Sequence, residues 1–147
     1  MVLRPEALRE RLLKLEEIIT RLQDAGQTDR ATLRANFRDA WIAERGLQLG
    51  AEVIFDIGNH VLSAHFGVSP KDYEDIVAQL ANLGVIDDTL RTRLKGLGGF
   101  RNILVHGYLR VDPDRVADHL AKAPTDFSDF ARQIRDWLAR TAGATDG

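Results

Sequence analysis

The chain has 147 residues, with 20 Lys+Arg against 22 Asp+Glu, a formal charge of −2 and a pI near 6.1. That length allows one domain with a core of its own, and the mild acidity argues against a protein that coats nucleic acid indiscriminately. The lack of cysteine excludes disulfides, thiolate metal sites and a cysteine nucleophile.

Helical grammar runs through the sequence. Leu8, Leu12, Leu15, Ile19 and Leu22 recur at 4-3-4-3 spacing, one apolar helix stripe over residues 5–24. Pro5 suits its first turn and Gly26 the position beyond its last. Thr28 or Asp29 is a cap for a second, long helix over residues 30–66, with Leu33, Phe37, Ala40, Trp41, Leu47, Ile54 and Ile57 as core candidates. Gly46, Gly50 and Gly58 lie inside it, each costing about 1 kcal/mol against Ala, so a neighbouring backbone or a bend is expected there. Ser69-Pro70-Lys71-Asp72 opens a third helix that stops at Gly84. Asp87 or Asp88 starts a fourth, carrying Leu90, Leu94, Leu97 and Leu104 and closed by Gly107. Asp112-Pro113-Asp114 starts a fifth, which Pro124 is expected to break and Thr125 to restart through Phe127, Phe130, Ile134, Trp137 and Leu138. Residues 141–147 read as a frayed tail. No repeat or linker divides the chain, so residues 1–147 are expected to form a single domain: an all-α, antiparallel bundle of four to five helices. No apolar run reaches the ~18–20 residues of a membrane span, and the start lacks secretory-signal grammar. A cytoplasmic location is the expectation.

The charge is unevenly spread. Residues 1–30 are balanced, residues 31–90 sum to −5 and residues 112–147 to −2. Residues 91–111 hold Arg91, Arg93, Lys95, Arg101 and Arg110 with no acidic residue, a net +5. A charge run is commonly a solvated helix face. It is also where an anion would be drawn, and Arg91, Arg93, Lys95 and Arg110 are RNA-binding candidates.

Within that segment lies Arg101-Asn102-Ile103-Leu104-Val105-His106-Gly107-Tyr108. Asn102 and His106, four apart, share a helix face, whereas Arg101 and His106 diverge by about 140° on a straight helix. Arginine is a permanent cation whose fork fits phosphate oxygens. Histidine is the side chain best suited to proton transfer near neutral pH. The set suits attack of a ribose 2′-hydroxyl on its own phosphate, with His106 taking the proton and Arg101 stabilising the developing charge. No metal or other cofactor is required. On spacing alone, a salt-bridged or solvated helix face fits the same residues.

The run from Arg101 to Tyr108 resembles the Arg-x4-His-x-Tyr signature of HEPN domains of the HepT toxin type. Glu44-Arg45-Gly46-Leu47-Gln48-Leu49 and Asp56-Ile57-Gly58-Asn59-His60 are similar to that family's second helix. The Gly84-Val85-Ile86 turn and the Gly98-Gly99-Phe100 lead-in agree, and the likeness covers about residues 8–138. It implies an all-α homodimer acting as a metal-independent ribonuclease toxin. Arg101 and His106 would be the catalytic pair, with Asn102 in support. The implied partner is a nucleotidyltransferase antitoxin of the MntA type, which would silence the toxin by AMPylation of Tyr108. Ala123-Pro124 departs from the family's more continuous last helix. A second reading is a non-catalytic HEPN helical dimer that serves as the binding partner of a nucleotidyltransferase.

Other residues carry less. His60 and His65, with Glu52 and Asp56 upstream, lack the i, i+4 pairing of helical zinc sites and read as a polar face. His119 reads as an exposed histidine. Glu44, Arg45 and Gln48 suit a supporting polar face, and Asp56 and Asn59 a cleft or dimer contact if the likeness holds. Trp41 and Trp137 are core or interface anchors.

Overall fold

The computed structural model describes residues 2–25, 28–107 and 111–146, with side chains described as far as Thr141. The described residues form seven α-helices: α1 (Pro5–Ala25), α2 (Arg30–Ala35), α3 (Phe37–Phe66), α4 (Tyr73–Asn82), α5 (Asp88–Arg93), α6 (Leu97–His106) and α7 (Pro113–Asp146). The all-α expectation holds, and no strand occurs among the described residues. No described helix is long and apolar enough to cross a membrane.

The α1 stripe is fully realised, since Leu8, Leu12, Leu15, Ile19 and Leu22 are all buried. The long helix expected over residues 30–66 is interrupted. Asn36 takes an extended conformation and its side chain accepts from the Arg38 amide at 3.0 Å, so it ends α2 and caps α3. Asparagine competes in this way with the backbone for helix-start donors. Asp29 caps α2 through the Thr32 amide at 2.7 Å. Arg30 then pairs with Asp114 and Asp118, and Arg34 with Asp114, pinning α2 to α7.

The next helix starts later than its Ser-Pro sequence implies: Asp72 is the cap, bonded to the Asp75 amide at 2.8 Å, and α4 begins at Tyr73. The helix expected over residues 87–107 is also divided. Gly96, at φ +84, turns the chain between α5 and α6, a conformation that costs glycine little.

Pro124 does not break the last helix. α7 is continuous through it, from Pro113 to Asp146. A proline removes one backbone bond and crowds the preceding turn, a cost of about 3 kcal/mol. On either side Leu120, Ala123, Phe127 and Phe130 are buried, and burying each large apolar side chain contributes about 1.5–3 kcal/mol. Packing therefore outweighs the local penalty.

α3 is the axis of the molecule, touching α1, α2, α4, α6 and α7. Its glycines mark close approaches. A Cβ on Gly50 would lie 2.5 Å from Phe127 Cε2, and one on Gly58 2.5 Å from Ile76 Cγ2. Trp137 is buried as expected, but Phe37 and Trp41 are not core residues. They are 68% and 66% exposed, packed edge to face with centroids 5.2 Å apart.

Candidate active site

α6 carries the motif, and small residues set its position. A Cβ on Gly98 would sit 2.6 Å from Tyr73 Cβ, so the start of α6 lies directly on the start of α4. Glu74 reinforces this junction by accepting from the Gly96 amide at 3.0 Å. Phe100 is buried and stacks flat on His119 of α7, with centroids 3.8 Å apart. His119 is thus a packed histidine, not the free surface one expected. Burial, with Lys122 and Arg115 nearby and opposed by Asp118, pushes its pKa down to about 4.

One residue beyond Phe100, Arg101 is held on three sides. Its Nη2 donates to Glu52 Oε1 at 3.1 Å, its Nη1 to Asn102 Oδ1 at 3.2 Å, and its Cζ lies 5.1 Å from the Tyr73 ring centroid. The Arg101 side chain is 18% exposed and that of Glu52 34%. Gln48, one turn before Glu52 on α3, donates to the same Oε1 at 3.2 Å. Each terminal nitrogen of the guanidinium keeps a second N–H. Its Nε is buried with no acceptor among the described residues, which costs about 1–3 kcal/mol. The arginine is therefore fixed in direction by neighbours from three helices.

His106 is the last residue of α6 and is exposed. Gly107 closes the helix, its amide donating to the Ile103 carbonyl at 2.8 Å. Because α6 stays helical from Arg101 to His106, the two side chains are separated by about 7.5 Å of rise and about 140° of rotation. They do not converge within one chain. Tyr108 and Arg110 lie outside the described residues.

The remaining cations of the basic segment have different fates. Arg93 is paired with Asp126 at 2.8 Å and with Asp129 on α7, so it joins α5 to α7. Arg91 is bound to Asn82 Oδ1 at 3.4 Å. Arg91 and Lys95 line a groove shared with Lys71 beside α4. The +5 of the sequence is thus partly neutralised by acids contributed from distant segments.

Next to Arg101 is an open cleft of about 530 Å³ between α3 and the start of α4. Asp56 and Asn59 line it, as does Asn102 of the motif. Glu52 and Tyr73 also border it and touch the arginine. In the sequence Glu52 reads as part of a polar helix face, and Tyr73 is not among the candidate residues. The i, i+4 pair Gln48–Glu52 is visible in the sequence, but its target is not. His60 accepts from the Arg4 amide at 3.4 Å, and His65 packs edge-on against Trp137. Among the described residues no group of three or more His, Asp or Glu is gathered closely enough to hold a metal ion.

Residues 15–134 match the family described as Ribonuclease HepT-like. A tRNA nuclease HepT from Aphanizomenon flos-aquae is 30% identical over 105 residues, covering 71% of each chain. The solved structure of the cytosolic Bacillus subtilis protein YutE superposes with a TM-score of 0.83 at 26% identity, over 97% of this chain and 96% of that one. A tri-AMPylated HEPN toxin of Shewanella oneidensis, solved in complex with its MNT antitoxin, superposes with a TM-score of 0.80 at 25% identity, over 90% of this chain and 99% of that one.

Proposed function

The chain belongs to the HepT-like ribonuclease family, and on that premise we propose that it is a metal-independent endoribonuclease toxin that cleaves RNA with Arg101 and His106. The observation that carries this reading is the fixed guanidinium of Arg101, bonded to Glu52 and Asn102 of an open cleft's lining, on the same helix as an exposed His106.

His106 takes the proton from a ribose 2′-hydroxyl, and the 2′-oxygen attacks the adjacent phosphorus. The bond from phosphorus to the 5′-oxygen breaks, and that oxygen leaves with a proton returned by an imidazolium or by water. The product is a 2′,3′-cyclic phosphate. The free N–H groups of Arg101 stabilise the charge that develops on the phosphoryl oxygens. Asn102, bonded to Arg101, holds the guanidinium toward the cleft.

Arg101 and His106 diverge on one helix, so the cleft is completed by a second copy, with motifs from both subunits facing each other. The exposed Phe37 and Trp41 supply apolar surface for such a homodimer. The regulatory partner is a nucleotidyltransferase antitoxin of the MntA type that AMPylates Tyr108. The added phosphate brings negative charge to a site that must hold RNA phosphate, and the nucleoside fills space beside it.

The test is cleavage of RNA by the purified chain in the presence of EDTA. Activity that persists with chelator and disappears in Arg101→Ala and His106→Ala, with circular dichroism unchanged, supports the proposal. Undiminished cleavage by either variant overturns the catalytic assignment. Incubation with the nucleotidyltransferase and ATP should add AMP to Tyr108, read by peptide mass spectrometry. A modified protein in which Tyr108 stays unlabelled refutes that part.

A further inference from the structure

We propose that the cleft beside Arg101 is a nucleobase subsite that selects bases bearing an exocyclic amine. The inference rests on the ribonuclease reading above and deepens it by naming what the site recognises.

The open cleft has a volume of about 530 Å³, within the range of about 300–1,000 Å³ typical of small-ligand sites. Its apolar wall is Tyr73, whose ring stacks on Phe55 with centroids 4.5 Å apart. Among the described residues, three carboxylates and a single cation, Lys71, line it. That balance repels phosphate and leaves the anion to Arg101, just outside. A flat, uncharged group linked to the phosphate is what the cleft can hold, which in RNA is the base.

The carboxylates further restrict the choice. Each is anchored by one oxygen. Glu52 Oε1 receives Arg101 and Gln48, Asp56 Oδ2 receives Arg11 at 2.5 Å, and Asp72 Oδ1 receives the Asp75 amide. The opposite oxygens, Glu52 Oε2, Asp56 Oδ1 and Asp72 Oδ2, accept no bond among the described residues. These acceptors are too dispersed to form a metal cluster. They instead suit separated N–H donors. The Asn59 amide on α3 has no side-chain partner among the described residues and offers both a donor and an acceptor to the same cleft. Carboxylates accept from the cytosine amine, and asparagine pairs with the adenine amine and its neighbouring ring nitrogen. Uracil has a carbonyl where cytosine has its amine and would face an acceptor.

The experiment titrates the full-length chain with adenosine, cytidine, guanosine and uridine separately, following backbone amide shifts by NMR. The three amine-bearing nucleosides should bind about three- to tenfold more tightly than uridine, the worth of one hydrogen bond, with shifts centred on Asn59, Tyr73 and Asn102. Asn59→Ala and Asp56→Asn, both at exposed positions and checked for folding by circular dichroism, should each reduce that preference. Equal binding of all four, shifts elsewhere, or a preference that survives both substitutions would overturn the proposal. Nucleoside binding as expected in a chain that cleaves no RNA would leave the subsite standing and remove the catalytic reading. RNA cleavage without base preference would remove the subsite alone.

Discussion

Glu52→Gln isolates what the carboxylate does for Arg101. The substitution keeps an oxygen in reach of Nη2, removes the charge and replaces the opposite oxygen with an amide NH2. At 3.1 Å and an effective dielectric of about 20, the bare attraction is about 5 kcal/mol. Desolvation of two groups that are 18% and 34% exposed offsets most of it, leaving about 1–2 kcal/mol. The melting temperature should therefore fall by about 2–6 °C. Loss of a fixed guanidinium direction should lower kcat on a short RNA by about tenfold, the equivalent of 1.4 kcal/mol. KM should not rise, because removing a negative charge beside the phosphate site favours a polyanion. Stopped-time cleavage assays with initial rates at varied RNA concentration separate the two constants. Unchanged kcat and melting temperature would refute the positioning role. A rise in KM with kcat constant would show that Glu52 serves binding instead.

Other consequences follow from packing and titration. Gly50→Ala places a methyl 2.5 Å from the buried Phe127 ring, and overpacking of about 1–3 kcal/mol should exceed the helix gain of about 1 kcal/mol; a melting temperature at or above that of the parent would contradict it. Gly99→Ala meets nothing within 4 Å, so calorimetry should show stabilisation of up to about 1 kcal/mol. His119, with its pKa lowered from 6.5 to about 4, is neutral in the fold. The unfolded chain binds the extra proton between those values, so stability is fully present above pH 6.5 and declines toward pH 4, by about 1–2 kcal/mol once solvent screening of the partly exposed ring is allowed for. Urea titrations across that range should show the decline, and His119→Phe should flatten it; an identical slope in the variant would remove His119 as its cause. Pro124→Ala restores a backbone donor inside α7 and should raise the melting temperature, and a lower one would mean that the proline ring itself packs productively.

The sequence by itself determined the helical class and most of the helix starts. Apolar spacing is a local property, and the α1 stripe from Leu8 to Leu22 is buried as its period requires. Capping is also local, so Asp29 and Gly84 mark boundaries where composition placed them. The Arg101–His106 motif and its family likeness were legible for the same reason. Tertiary structure decided whether local penalties prevailed. Pro124 stays helical because buried residues flank it, whereas Asn36 interrupts because its side chain offers the backbone another partner. It also decided where charge was left available. Arg93 stood in an acid-free run, yet acids 33 and 36 positions away claim it. Glu52, 49 positions from Arg101, meets it because α6 packs on α3. Electrostatic partners act through space at a few ångströms, and no linear window contains both members of such a pair.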